Sequence, residues 1–396
     1  MRLSDVQVYV IPAGWRNWLF LKISILGEQD GWAEFTDSNG SERTLLTCID
    51  ELKKDIVGVE FRDTSHMVSF LRRKYRQSLP GIIWKGISAI ENATLDAVAK
   101  ISSVSIQKLF PDWEQSTSSR FPAYWSHCPT TRIRSASHIE KEPVKTIDDL
   151  RLLSTEISSL GFQAIKTNLV SLNSEPRVFM PGFSKTLKEL DQCLPLNYEL
   201  DLKNVIEALL FSAPKIEVIV DFNFNVTLEE FCQIQKLLIF LPVRWLEIDF
   251  DNPVLCNRVL DEAQLPVCTG ENTLGYWSYE KIIEDPRVSI VSIDVLWNGF
   301  SESLLIAEAA IQAGKKIAVH NYYGALASAM AATFFSLIPE SSRELLEFDF
   351  DDVPWRDSLV GRSIGFSEGQ LIHDSGPGWG TEILEFELRD RAILIQ

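Results

Sequence analysis

From about Phe121 onward the chain repeats one unit, a short apolar run ending on a polar or charged residue, followed in most cases by an amphipathic helix. The strand candidates are Pro122–Ser126, Gln163–Asn168, Glu217–Asn223, Arg244–Asp249, Pro266–Gly270, Val291–Val295, Lys316–Asn321 and Leu345–Phe350. Helical spacing of apolar residues marks Ile147–Leu160, Thr227–Leu241, Ser301–Ala313 and Gly324–Leu337 between them, and Thr227-Leu-Glu-Glu reads as an N-cap with an acidic first turn. Strands that are apolar along their whole length belong in a parallel sheet covered on both faces. Eight of them in roughly 230 residues, alternating with helices, is the rhythm of a (β/α)₈ barrel. An open doubly wound sheet shares the alternation, but no GxGxxG follows a strand to supply its usual nucleotide loop.

Upstream the texture differs. Leu3–Ile11, Trp18–Ile25 and Gly31–Glu34 read as strands, broken at Pro12-Ala13-Gly14 and Gly27–Asp30, and helical patterning runs from about Leu45 to Leu109. Strands followed by helices predict an α+β unit over residues 1–120. Residues 121–354 make the barrel, and the glycine-rich last 40 residues, 355–396, return to the first unit.

A chain of 396 residues with 45% hydrophobic and 23% charged residues is ordinary for a folded protein of two units. The net charge of −17 argues against nucleic acid as a partner, since phosphate binding needs clustered Lys and Arg. No run of about 18 apolar residues suggests a membrane span, and the alternating start is unlike a leader, so a cytoplasmic location is expected. The six cysteines are dispersed without a CxxC pair, which disfavours a disulfide framework or thiolate zinc site.

The strand ends carry the chemistry: Lys166, Asp221 with Asn223, Glu247 with Asp249, Glu271, Asp294, His320 and Glu347. In a parallel barrel all strand C-termini share one face, so these residues form one ring. Buried carboxylates need a partner. Asp221, Glu247 and Glu271 are spaced by 26 and 24 residues, one βα unit each, and would repel one another without a cation. Their all-oxygen set favours a hard ion, ordinarily Mg²⁺. Asp294 and His320, 26 residues apart on the next two strands, suit a dyad in which the acid fixes the imidazole tautomer. Lys166 would bind a substrate carboxylate beside the metal. His66, His138 and His373 read as surface residues, and His127 follows the first barrel strand within reach of the ring.

At these residues the chain resembles the enolase superfamily, mandelate racemase/muconate lactonizing enzyme-like branch, over nearly its whole length. The resemblance rests on GWAEFTD at Gly31–Asp37, AIKTN, VDFNFN at Val220–Asn225, WLEID, TGEN, AVHNYYG at Ala318–Gly324 and GPGWGTE at Gly376–Glu382. It looks closest to galactonate dehydratase-like acid-sugar dehydratases. It implies a modified TIM barrel with an α+β capping domain completed by the C-terminal tail. It further implies Mg²⁺ on Asp221, Glu247 and Glu271, His320 with Asp294 as general base, and Glu347 against the substrate carboxylate. Asp251-Asn252-Pro253 offers an alternative second ligand, but Asp251 would leave a spacing of 20 residues to Glu271.

Many relatives carry Lys-x-Lys on the second barrel strand, with the second lysine as a base facing the histidine. Here the segment is Lys166-Thr167-Asn168, and an amide cannot take a proton near neutral pH. With one base, dehydration of an acid sugar is expected over two-base racemisation or epimerisation, while cycloisomerisation also needs only one. A non-catalytic metal-stabilised binding protein is the reading from another class. The substrate is expected to be a small carboxylate, with Asn168, Asn223 and Trp297 among its contacts, and the assembly a homo-oligomer. The Pro12–Trp18 loop and Tyr322 are candidates for specificity.

Overall fold

The computed structural model describes residues 1–37, 41–116, 118–173, 175–180, 194–223, 226–249 and 252–396. β1 (Leu3–Ala13), β2 (Arg16–Ile25) and β3 (Gly31–Glu34) form an antiparallel meander. The break expected at Pro12-Ala13-Gly14 is narrower: Pro12 and Ala13 stay paired with Asn17 and Arg16, leaving Gly14 and Trp15 as the hairpin tip. Gly14 supplies the positive φ that such a tight turn requires. The Pro12–Trp18 stretch is therefore mostly strand, and Trp18 is buried in the core rather than offered to a ligand. Three helices follow, α1 (Glu42–Ile56), α2 (Thr64–Lys74) and α3 (Ile82–Ile101); α1 and α3 pack on this sheet and α2 packs on α3. α3 is apolar around most of its circumference and lies between the sheet and the rest of the molecule.

The barrel follows. β4 (Arg120–Trp125) and β5 (Ala164–Ser171) pair in parallel, and a short β6 (Arg177–Phe179) folds back on the end of β5. β7 (Glu217–Asp221), β8 (Val243–Glu247), β9 (Val267–Thr269), β10 (Ile290–Ile293), β11 (Lys316–Val319) and β12 (Arg343–Phe348) continue the sheet until β12 pairs with β4. Eight parallel strands thus close on themselves, and helices run between successive strands. Capping boxes at Thr146 and Thr227 start two of those helices.

The predicted barrel strands are all present but shorter at their C-terminal ends, by one or two residues, because their polar tips turn into the barrel mouth. β5 is the exception and runs on to Ser171, where β6 covers its edge.

The tail divides its contacts. β13 (Gly365–Ser367) and β14 (Gln370–Ile372) form a hairpin on β4, so this part of it docks on the barrel rather than on the first sheet. β15 (Leu394–Ile395) does return to the first sheet and pairs with β1. His373, expected on the surface, is buried beside Thr333, 3.1 Å from its hydroxyl, because this hairpin folds over the barrel helix Ala325–Leu337. His66 and His138 are exposed, as expected.

Candidate active site at the barrel mouth

Side chains two residues apart on a strand face the same way. Tyr124, Ala164, Ile219, Trp245, Cys268, Ile290, Ala318 and Leu345, one from each barrel strand, form a separate apolar cluster that fills the lumen. Two residues further along six of the strands stand Ser126, Lys166, Asp221, Glu247, His320 and Glu347. The polar ring therefore rests on a solid apolar floor, and local alternation alone places it there. Two residues further again come Asn168, Asn223, Asp249 and Asp294.

Lys166 is the hub. It is only 1% exposed, and its Nζ lies 2.6 Å from Glu347, 3.3 Å from Glu247 and 4.0 Å from Asp221. Burial disfavours the ammonium, but the carboxylates around it more than compensate and raise its pKa well above the ordinary value. Glu347 accepts from Lys166, from Ser126 Oγ at 2.6 Å and from the Asn321 backbone at 2.9 Å. Although buried, its carboxyl is held far below the usual range by the Lys166 charge. Lys166 on β5 and Glu347 on β12 thus satisfy each other across the intervening β4.

The other carboxylates are less well served. Burial, then the Glu247 charge, pushes Asp221 up to about 7, and burial raises Glu247 and Glu271 as well. Asp249 is also pushed up to about 7 by burial, while accepting from Thr269 and the Gly270 backbone. Asn168 Nδ2 and Asn223 Nδ2 donate to Asp221 Oδ2 at 3.1 and 2.8 Å, and Asn168 also donates to Asn223 Oδ1 at 2.5 Å. Glu271 Oε2 is buried without a hydrogen-bond partner. Among the described residues, no three His, Cys, Asp or Glu side chains already converge as a metal cage. The donor set nonetheless suits a hard divalent cation: two buried carboxylates, Asp221 and Glu247, and the half-buried Glu271, whose ionisation together is costly without added positive charge. Asp251, the alternative ligand, lies outside the described residues.

On the next strands Asp294 Oδ2 lies 2.7 Å from His320 Nδ1. The aspartate is completely buried and caps the short helix Val295–Asn298, accepting from the Trp297 backbone at 2.8 Å through Oδ1. In the neutral ring an ionised acid there assigns the proton to Nδ1 and leaves the Nε2 lone pair free, 3.6 Å from Glu271 Oε2. Burial opposes a charge on His320, but Glu271, Asp294 and Glu347 outweigh it and push the imidazole up to about 10. A cation neutralising Glu271 would remove the largest of those raising influences.

Sequence reasoning missed Tyr323, whose hydroxyl donates to Asp294 Oδ2 at 2.5 Å. Its place in AVHNYYG marks it only once the loop after β11 is known to fold back over the dyad. Trp297 lies tilted beside His320, with ring centroids 5.6 Å apart, and donates from Nε1 to the Thr36 carbonyl. Lys85 lies over its ring at 3.4 Å and pairs with Asp37.

The first sheet is latched onto the mouth by two buried charges. Glu34 accepts from Thr36 and from the Gly324 and Ala327 backbones at the start of the helix Ala325–Leu337. A Cβ on Gly324 would stand 2.8 Å from Glu34 Oε2, so a side chain there would displace the Glu34 carboxylate. Arg16 pairs with Asp349 and Asp352 at 2.8 Å each, donates to the Tyr322 carbonyl and lies 4.1 Å from the Tyr322 ring.

A closed parallel barrel with its polar ring at the C-terminal mouth, covered by an α/β layer, defines the class as a capped TIM barrel. The chain belongs to the Enolase C-terminal domain-like family, which matches residues 151–387, and to the mandelate racemase/muconate lactonizing enzyme branch of the enolase superfamily. Among solved structures, it is similar to a protein of Burkholderia xenovorans strain LB400, named for L-alanine-DL-glutamate epimerase activity and bound to magnesium and fumarate. That pair shares 30% identity with a TM-score of 0.91, covering 99% of this chain and 96% of the other. Its sequence is 23% identical to an arabinonate dehydratase of Saccharolobus solfataricus, over 89% of this chain and 86% of that protein. It is also 22% identical to a D-galactarolactone cycloisomerase of Agrobacterium fabrum, over 89% and 85% respectively.

Proposed function

We propose that the protein is a Mg²⁺-dependent acid-sugar dehydratase that converts an aldonate or aldarate to a 2-keto-3-deoxy acid. The observation that carries this reading is the His320–Asp294 pair, 2.7 Å apart, facing the carboxylate ring while an amide, Asn168, stands where a second lysine base would be. Relatives named as a dehydratase and a cycloisomerase, both of which a one-base site can serve, support it.

In this reading Asp221, Glu247 and Glu271 hold the cation, which supplies Lewis-acid polarisation of the substrate carboxylate. Lys166 adds a fixed positive charge at the same carboxylate, where negative charge develops as the α-proton leaves. His320 Nε2 takes that proton, and Asp294 stabilises the imidazolium that results. The Cβ–O bond then breaks, and His320 returns its proton to the departing hydroxide to release water. The enol left behind tautomerises to the 2-keto acid. Asn223 and Trp297 line the substrate space. Residues 1–120, joined by β15 at the end of the tail, form the lid that excludes water, and residues 121–354 form the reacting barrel, on which the β13–β14 hairpin docks.

The test is incubation with Mg²⁺ and a panel of aldonic and aldaric acids, assayed for 2-keto acid. Product formation is expected, and His320→Asn should lower turnover by a factor of about 10²–10⁴ while leaving ligand binding measurable. Exchange of the α-proton in D₂O without net product would overturn the dehydratase reading, and only appearance of the epimer would make the protein an epimerase, the activity for which the Burkholderia neighbour is named.

A further inference from the structure

His127 is a polar group at the barrel mouth that this mechanism leaves unused. It stands just beyond β4, the strand that closes the barrel between Glu347 on β12 and Lys166 on β5. Its backbone has φ of 52°, a conformation few non-glycine residues adopt. Two hydrogen bonds hold it there, from Cys128 N to the Lys166 carbonyl at 2.8 Å and from Thr131 N to the His127 carbonyl at 3.0 Å. Such local strain persists where the surroundings impose it, and it gathers at functional sites.

The hydrogen-bond chain fixes the ring's tautomer. Lys166 keeps Glu347 ionised, so Glu347 can only accept, and Ser126 Oγ donates its single proton to it at 2.6 Å. Ser126 Oγ must then accept from His127 Nδ1, 2.6 Å away, which leaves Nε2 as a bare lone pair. Nε2 has no partner among the described residues and is not sealed from solvent. Burial and the charges of Lys166 and Arg16 hold the imidazole well below its ordinary pKa, with Glu347 opposing them. The ring itself is clamped on Tyr322, centroid to centroid 3.9 Å.

We propose that His127 is a specificity-determining residue whose Nε2 accepts a hydrogen bond from a hydroxyl of the substrate. The inference rests on the acid-sugar reading above. A neutral acceptor open to solvent pairs with a hydroxyl donor, which a polyhydroxylated carboxylate carries along its chain.

The experiment is calorimetric titration of the Mg²⁺-loaded His320→Asn protein, which does not consume its ligand. The titrants are four- to six-carbon aldonates and aldarates, and the same acids lacking single hydroxyls. Two variants separate the ring's roles. His127→Asn tolerates the positive φ and keeps a donor for Ser126 but has nothing at Nε2, whereas His127→Gln places an amide oxygen near that position. His127→Asn is expected to weaken the best hydroxy acid roughly tenfold, with no effect on the one deoxy analogue that lacks the recognised hydroxyl. His127→Gln should restore part of the loss. Unchanged affinity in His127→Asn, or equal weakening for every analogue, would overturn the proposal and leave the dehydratase reading intact. If no hydroxy acid binds even with His127 in place, the functional reading falls and takes this inference with it.

Discussion

Asn168 donates from Nδ2 to Asp221 Oδ2 at 3.1 Å, so the residue standing where relatives place a second base is tied to a carboxylate of the proposed metal set. The amide has exchanged proton chemistry for support of that carboxylate. Groups that orient metal ligands typically matter by 10–100-fold in affinity. Asn168→Ala should therefore weaken Mg²⁺ binding by about tenfold or more, read by calorimetric titration of the metal-free protein. Wild-type protein should gain about 2.7 kcal/mol of stability at a Mg²⁺ concentration one hundred times its dissociation constant, and Asp221→Asn should lose most of that gain. Equal Mg²⁺ affinity in Asn168→Ala would show that the contact supports nothing.

Arg16 carries the second prediction. Its guanidinium is buried with Asp349 and Asp352, both within 2.8 Å, and burial raises both acids against the pull of that charge. Removing one member of a buried ion cluster leaves charge without compensation and costs about 3–5 kcal/mol. Arg16→Ala should lower the urea midpoint accordingly. Because Arg16 also bears on Tyr322 and, through it, on the His127 ring, the same variant should loosen substrate binding more than it slows turnover of bound substrate. A loss below about 1 kcal/mol would show that the two acids find other partners.

His373 sets an acid limit on stability. Burial, against a smaller opposing pull from Asp374, lowers its pKa from 6.5 to about 4. Between these values the unfolded chain takes up a proton that the native ring refuses. The stabilisation from a neutral His373 is complete above pH 6.5, falls as pH drops toward 4, and changes no further below that. The depression of about 2.5 units corresponds to roughly 3 kcal/mol at most. Urea unfolding at pH 7.5 and pH 5 should show this slope in wild-type protein and a flatter one in His373→Gln. Parallel slopes would place the acid sensitivity elsewhere.

Strand identity, the barrel rhythm and the ring Lys166, Asp221, Glu247, Asp294, His320 and Glu347 were legible from residue order, because alternation along a strand is a local property. Once eight apolar runs are recognised, each polar tip must fall at one mouth whatever the details of packing. Residue order put His127 within reach of the ring but could not show that Ser126 bonds both its imidazole and Glu347, 221 residues from Ser126. Nor could it show that Tyr323 folds back on Asp294, that Arg16 crosses from the first sheet to Asp349 and Asp352, or that a hairpin from the tail buries His373. Those contacts join segments far apart in the chain. A polar side chain's partner and protonation state depend on which surfaces meet when the barrel closes and the first sheet docks, and no spacing along the chain encodes that.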